Sequence, residues 1–285
     1  MGYIIRQLAP SDFPKLLEEI PDAPKRLFAV GPMPHRDSKC LCVVGSRKYS
    51  SYGREVCEKL IVGLRGYNVT IISGLALGID ALAHRNALTA GLATVAIPGS
   101  GLGQSVLYPS ANRGLAEAII ASGGALLSEF EESERATPYN FPRRNRIMAG
   151  MSHAVLVIEA ERQSGTLITS RLATDYNRDV LTVPHPIFSN TSHGPHMLLR
   201  LGAAVITDAE DIVKALGINT KHNRTADNKN LSERERKVVE LLNEPLPRDE
   251  LIALLNISIQ DANILLSAME IKGLIREQYG ELHSI

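Results

Sequence analysis

The chain has 285 residues, of which 44% are hydrophobic and 22% charged. Those proportions exclude wholesale disorder, and the length suits two domains, or one large and one small. Thirty-one basic residues balance thirty-one acidic ones, so any affinity for an anionic polymer must come from a local patch. With no Trp and only 5% aromatics, base stacking on a broad aromatic platform is not expected as the main mode of action.

The start of the chain, MGYIIRQLAPSDFP, has no long apolar stretch of the signal-peptide kind. Gln7 stands where a myristoylation start favours a small hydroxyl residue. No uncharged apolar run approaches ~18 residues. Cys40, Cys42 and Cys57 form neither a CxxC nor a disulfide framework, and read as buried thiols in a reducing compartment. The expected location is the cytoplasm.

Residues 1–36 form a short lead. DFPKLLEEI suits a helical turn or two, and the prolines at 21, 24, 32 and 34 predict irregular chain after it. The lead is too short for a core of its own and is expected to pack on the larger domain after it.

From 37 to about 210, short apolar runs alternate with helical segments. The runs are CLCVVG, NVTIIS, LATVAIP, GALLS, HAVLVIE, DVLTVP and AAVIT. Several are continuously apolar, which predicts strands buried on both faces of a parallel sheet. The segments around 52–65, 78–90, 112–122, 143–151, 165–176 and 195–201 are long enough for crossover helices. The expected fold is a doubly wound α/β sheet, which places ligands at the carboxyl ends of its strands.

A polar stretch over 211–230 without hydrophobic period reads as a linker. Beyond it, 231–285 carries three helical segments. Ser232 and Glu235 make a capping box before the first. Two short strands come next, turning at Gly280, and the whole reads as a winged helix. That domain holds six Lys or Arg against ten Asp or Glu, a net of −4. Its third helix carries Asp261 and Glu270, with Lys272 as its one base. A phosphate-reading face needs positive charge, so duplex DNA is not the expected partner of this domain.

The chemistry concentrates at predicted strand ends. VVGSRKYSSYG offers Gly45 for a tight turn, and Ser46 with backbone N–H groups for a phosphate at a helix start. Arg47 adds a charge-assisted contact. This is neither GxGxxG nor a P-loop, and a plain turn with a surface arginine has the same pattern. SGLALGIDALAHRNAL repeats the design with Gly74 and Gly78. It also sets Asp80 and His84 on one helical face, a spacing that serves an Asp–His hydrogen bond more readily than a base. IPGSGLGQSVLYPSANRGL brings Gly99, Gly101 and Gly103, an open backbone with room for an anion or simply a turn.

FPRRNRIMAGM is the most pointed signal. Arg143, Arg144 and Arg146 are too close together for all three to be buried. Asn145 can bond backbone or base, and Phe141 is the nearby aromatic for stacking. The acidic run just upstream confines the basicity to a spot suited to a few phosphates, although internal salt bridges fit the same run. In VIEAERQSGTLITSRLA, Ser164, Gly165, Thr166 and Thr169 stand at a helix start, and Glu159 at a strand end. His185, His193 and His196 do not have a zinc spacing and read as loop and surface histidines.

Taken in order, VVGSRKYSSYG, SGLALGIDALAHRNAL, GLGQSVLYPSANRGL, GALLSEF, FPRRNRIMAG, VIEAERQSGTLIT and HGPHMLLRLGA closely resemble the DNA-processing protein A family, DprA, also called Smf. The resemblance covers about 38–208, and the tail resembles, with weaker motifs, the winged-helix domain that many members carry. It implies an extended Rossmann-like core and a homodimer formed through it. It also implies binding of single-stranded DNA and loading of the RecA recombinase onto that strand in natural transformation or recombination.

By motif, Gly45, Ser46 and Arg47 fall in the family's phosphate pocket, with Arg143, Arg144 and Arg146 in the same basic groove. Ser164 through Thr169 lie near it. No cofactor, metal or catalytic residue is expected. Three departures stand out: a lead of only 36 residues, so that the helical N-terminal domain of many members is not expected, Gly103 where Asp is common, and VPHP where Val-Pro-Gly is usual. Two other readings remain: a nucleoside-monophosphate hydrolase using Glu159, whose PGGxGTxxE run is not reproduced, and a protein scaffold that does not touch DNA.

Overall fold

A computed structural model describes residues 3–218, 232–242, 245–272, 274–278 and 280–284. The chain divides into two compact units, 1–220 and 221–285.

In the first unit nine described strands form one sheet. The middle one of its seven parallel strands is β3 (Lys39–Val44). From there the chain runs outward through β4 (Val69–Ser73), β5 (Ala93–Ala96) and β6 (Ala125–Ser128). It then crosses back to β7 (Ala154–Val157), β8 (Asp179–Thr182) and β9 (Ala204–Val205). All seven are parallel. The order reverses between β3 and β7, which makes their carboxyl ends the switch point where such sheets open a crevice.

Alternation along β3 shows why the apolar runs are continuous. Cys40, Cys42 and Val44 enter one core layer with Ile147, Met148 and Val157, while Leu41 and Val43 enter the opposite layer with Leu60, Ile79 and Ile212. Both faces are therefore covered by helices. These are α2 (Ser51–Val62), α3 (Ile79–Ala90), α4 (Arg113–Ala121), α5 (Asn140–Gly150), α6 (Thr166–Asp175), α7 (His193–Arg200) and α8 (Ala209–Ala215). Burial pushes the thiols of Cys40 and Cys57 up to about 12, so they are inert packing groups.

The lead is more ordered than its prolines predict. After α1 (Lys15–Glu18), β2 (Phe28–Val30) pairs antiparallel with β6, and β1 (Arg6–Gln7) pairs with β2. Leu17, Ile20 and Leu27 are buried in the main core. Arg178 clamps the segment by donating to the Leu16 carbonyl at 2.7 Å and pairing with Glu19 at 3.0 Å. Residues 3–36 are thus part of the sheet unit. The expected linker also needs correcting at its start. Asp208 makes a capping box with Asp211, so the helix α8 occupies 209–215. Residues 219–230 of that linker lie outside the described residues.

The second unit has α9 (Glu233–Leu241), α10 (Arg248–Leu255) and α11 (Ile259–Ile271), with strands β10 (Leu246–Pro247), β11 (Ile275–Gln278) and β12 (Glu281–Ser284). Val238, Leu251, Leu255, Leu266, Met269 and Leu282 form its core. The Ser232–Glu235 capping box is present.

Lys272 Nζ lies 2.6 Å from Glu235 Oε1, and this ammonium, with the Ser232 N–H, holds the Glu235 carboxyl down to about 2 from an ordinary 4.5. A carboxyl lowered in the folded state contributes stability that is complete above about pH 4.5 and fades as the pH falls toward 2. Glu235→Gln in the full chain is therefore expected to destabilise this unit at pH 6. The gap from wild type should close as the pH approaches 2 in thermal unfolding followed by circular dichroism. A gap independent of pH would remove Glu235 as its source.

Candidate functional site

A cleft of about 390 Å3 opens at the switch point. One wall is the loop after β3, with Gly45, Ser46, Arg47 and Lys48. Helix α5 contributes Phe141, Arg144 and Asn145, and the start of α6 contributes Ser164, Gly165, Thr166 and Thr169. Ten residues expected from the sequence thus meet at one place, joined by Lys48, Asp80 and Glu161.

Each wall has a local cause. Gly45 has no Cβ because any Cβ would overlap Ile79, so its role is close packing of the loop on α3. Its carbonyl accepts from the Thr166 hydroxyl at 3.1 Å, which ties the β3 loop to α6. The Ser46 hydroxyl donates to the Lys48 carbonyl at 2.7 Å and accepts its N–H at 3.0 Å. That serine shapes the loop rather than offering a spare hydroxyl. The Ser164 hydroxyl accepts the Thr166 N–H at 3.2 Å, at the positive end of the α6 dipole.

Arg144 is buried beneath the cleft. Its guanidinium donates to the Ile97 carbonyl at 2.9 Å and lies 3.9 Å from Asp80. Gly74 lies behind it: a side chain there would collide with that guanidinium and with Asp80. Burial raises the Asp80 carboxyl, against the opposing pull of Arg144 and of the N–H groups of Gly74 and Ala76. His84 does not pair with Asp80. Its Nδ1 lies 2.7 Å from the Thr94 hydroxyl, which itself donates to the Ile71 carbonyl. Burial pushes His84 down to about 3, so it is a neutral core residue.

Arg47 and Lys48 differ from Arg144. Both are exposed on the cleft. Neither has an ion-pair partner among the described residues. The Arg47 guanidinium sits 5.3 Å from the Phe141 ring centroid, a cation–π arrangement that orients it. Lys48 was not singled out from the sequence, although it directly follows Arg47 and no acid stands within five residues of it.

Several expected residues are elsewhere. Gly74 backs Arg144, and Gly99 packs under the Phe141 ring. Gly101 gives its N–H to the Glu134 carbonyl at 2.8 Å and is crowded by the carbonyls of Glu131 and Glu132, so it is closed to an anion. Arg146 is turned away to Glu129 at 2.5 Å and Asp22 at 3.6 Å. Arg143 is exposed but also faces Glu129, at 3.4 Å, and stands over the Phe130 ring. The basic run is therefore divided around a helix: one arginine under the cleft, two on an internal carboxylate.

Glu159 is likewise a structural group. It is fully buried at the N-terminus of α2. It accepts the Ser50 N–H at 3.0 Å, the Ser50 hydroxyl at 2.5 Å and the Thr191 hydroxyl at 2.9 Å. An internal carboxylate thus occupies that helix terminus, which leaves α6 as the terminus facing the cleft. The same bonds consume the group on which a hydrolase reading depends. Among the loop histidines, His185 is half-buried, with Nε2 2.6 Å from the Ile158 carbonyl, and His196 reaches the His185 carbonyl. Among the described residues no cluster of His, Cys, Asp or Glu is arranged to hold a metal ion. No single described helix is long and apolar enough to cross a membrane.

Fold and cleft define an α/β protein with a crevice suited to anions at the switch point of its sheet. Comparison with known proteins narrows this. Residues 5–217 match the family model of DNA recombination-mediator protein A, and residues 222–281 that of the DprA winged helix domain. The chain is 43% identical over 216 residues to Protein Smf of Escherichia coli, covering 73% of this chain and 56% of that one. It is 41% identical over 201 residues to the DNA processing protein DprA of Streptococcus pneumoniae, covering 70% of each.

The X-ray structure of that pneumococcal protein superposes with a TM-score of 0.68 at 38% identity, over 74% of each chain. A structure reporting the single-stranded DNA binding mode of DNA processing protein A from Helicobacter pylori gives 0.67 at 27% identity, over 75% of this chain and 96% of that one. The chain belongs to the DprA/Smf family. Its alignments span only 56% and 52% of the E. coli and Synechocystis relatives.

Proposed function

We propose that this protein binds single-stranded DNA in the cleft, with Arg47 and Lys48 on phosphates beside the start of α6. The observation that carries the reading is the pair itself: two exposed cations without ion-pair partners among the described residues, at the mouth of the cleft. An anion there gains charge-assisted hydrogen bonds and the favourable end of a helix dipole. A cleft of about 390 Å3 has small-ligand dimensions, so it takes a piece of one strand and not a duplex.

The Helicobacter relative supports the same ligand class. With the family resemblance, the reading extends to recombination or natural transformation, in which the bound strand is handed to RecA. The role is binding and delivery, not catalysis. A homodimer accords with an apolar groove of about 610 Å3 between α6 and α7, beside the exposed edge strand β9. Ile168, Met197 and Leu201 are exposed along it. Two copies would present two clefts and gain avidity for one strand.

The test is fluorescence anisotropy of a labelled dT oligonucleotide at several salt concentrations, with unlabelled duplex as competitor. Tight binding that weakens with salt and resists duplex competition is expected. No binding at low salt overturns the assignment. Sedimentation of the same samples gives the protein stoichiometry.

A further inference from the structure

The chain has eight Tyr and five Phe. The exposed ones among the described residues are Tyr49, Tyr52, Tyr108, Tyr139 and Phe188. All five lie in segments leaving the carboxyl ends of strands: Tyr49 and Tyr52 after β3, Tyr108 after β5, Tyr139 after β6 and Phe188 after β8. Low aromatic content argued against a broad stacking platform. The exposed rings among the described residues thus all stand in segments that leave the sheet at its carboxyl edge, the edge at which the cleft opens.

Tyr108 is the ring most directly joined to the cleft. Its centroid lies 6.0 Å from that of Phe141, with the planes tilted by 50°. Phe141 in turn lies beside Arg47. Arg47 and Phe141 line the cleft, so Tyr108 continues that row outward, and it is 47% exposed. Its backbone is fixed: the Tyr108 N–H donates to the buried Ser100 hydroxyl at 3.2 Å. The preceding residue, Leu107, is buried and donates to the Gly103 carbonyl at 2.9 Å. A ring held on a pinned loop loses little freedom on binding. A base between two parallel rings needs roughly 6.8 Å, twice the stacking distance of 3.4 Å. The tilted 6.0 Å pair leaves no room for a base between the two rings, so a base would stack on the exposed surface of Tyr108.

We propose that Tyr108 is a base-stacking platform for the strand whose phosphates are held at Arg47 and Lys48, and that the strand leaves the cleft toward the β5 loop. This rests on the single-strand reading above and adds to it a site for the base. Stacking of this kind tolerates every base and does not depend on counterion release.

Because the chain has no Trp, Tyr108→Trp gives a unique fluorescent reporter at the proposed platform. The full chain is titrated with a dT oligonucleotide and with an abasic oligonucleotide of the same length, with anisotropy recorded in parallel. Expected are near-wild-type affinity and quenching of the indole by dT but not by the abasic strand. Tyr108→Ala should lose roughly 5–150-fold in affinity with an unchanged salt slope, and Tyr108→Phe should restore it. An indole that stays unquenched while anisotropy shows bound dT overturns the platform and leaves single-strand binding standing. Wild-type affinity in Tyr108→Ala does the same. Absence of dT binding by the wild type overturns both.

Discussion

Arg47→Ala is expected to weaken dT binding by roughly 10- to 150-fold, the loss of one hydrogen-bonded charge worth about 1.5–3 kcal/mol. It should also lower the slope of log affinity against log salt by about one, because one phosphate contact fewer releases one counterion fewer. Lys48→Ala should lower the slope by the same amount with a smaller loss of affinity, since an ammonium is a point charge without the fork of a guanidinium. Arg47→Lys separates the two effects: slope kept, affinity reduced. Arg143→Ala is the matched control. That arginine is 55% exposed and lies in the same basic run as Arg144, yet it faces Glu129, and its removal should leave the slope unchanged. Anisotropy titrations over a range of salt read all four variants. An Arg47→Ala slope equal to wild type would take Arg47 off the phosphate path.

The sheet was legible in the sequence because central strands buried on both faces have no polar alternation to obscure them. CLCVVG and HAVLVIE declare themselves, and β3 and β7 are where they belong. The strand Phe28–Val30 was not legible. It is three residues long, stands among prolines, and is specified by pairing with Leu126–Ser128, about a hundred residues away.

The same distinction holds at the site. Loops at strand ends were found, since glycines and hydroxyls collect there for reasons of turn geometry. Which glycines face the cleft was not, because Gly45 and Gly74 answer to Ile79 and Arg144, neighbours that only the fold supplies. The arginines show it most clearly. Residues three apart share a helical face, so Arg143 and Arg146 turn together toward Glu129 while Arg144 points elsewhere. The acidic run upstream of FPRRNR looked like a boundary to the basic patch, but its Glu129 is the partner of two of the three arginines.

That partnership makes Glu129→Ala the substitution with the largest expected effect on stability. Glu129 is 6% exposed, and it holds Arg146 at 2.5 Å and Arg143 at 3.4 Å. Arg146, itself 12% exposed, reaches on to Asp22, which also accepts from the Tyr176 hydroxyl at 2.7 Å. The carboxylate therefore sits at the join of β6, α5, α6 and the N-terminal lead. Removing it leaves a buried guanidinium with one distant carboxylate, at an expected cost of about 3–5 kcal/mol. For a unit of this size that corresponds to a fall in melting temperature of roughly 6–20 °C.

Arg146→Ala, which leaves that carboxylate with Arg143 alone at 3.4 Å, should cost less than Glu129→Ala but still more than about 1 kcal/mol. The double variant Glu129→Leu with Arg146→Met should recover most of the loss, because an apolar pair of similar volume replaces a buried ion pair at little cost. At a temperature where all are folded, the salt slope of dT binding should be that of wild type in every one, including Arg146→Ala. A loss below about 1 kcal/mol in Glu129→Ala would mean that the pair is solvated. A reduced slope in Arg146→Ala would return that arginine to the DNA path, and with it the continuous basic track that the sequence alone suggests.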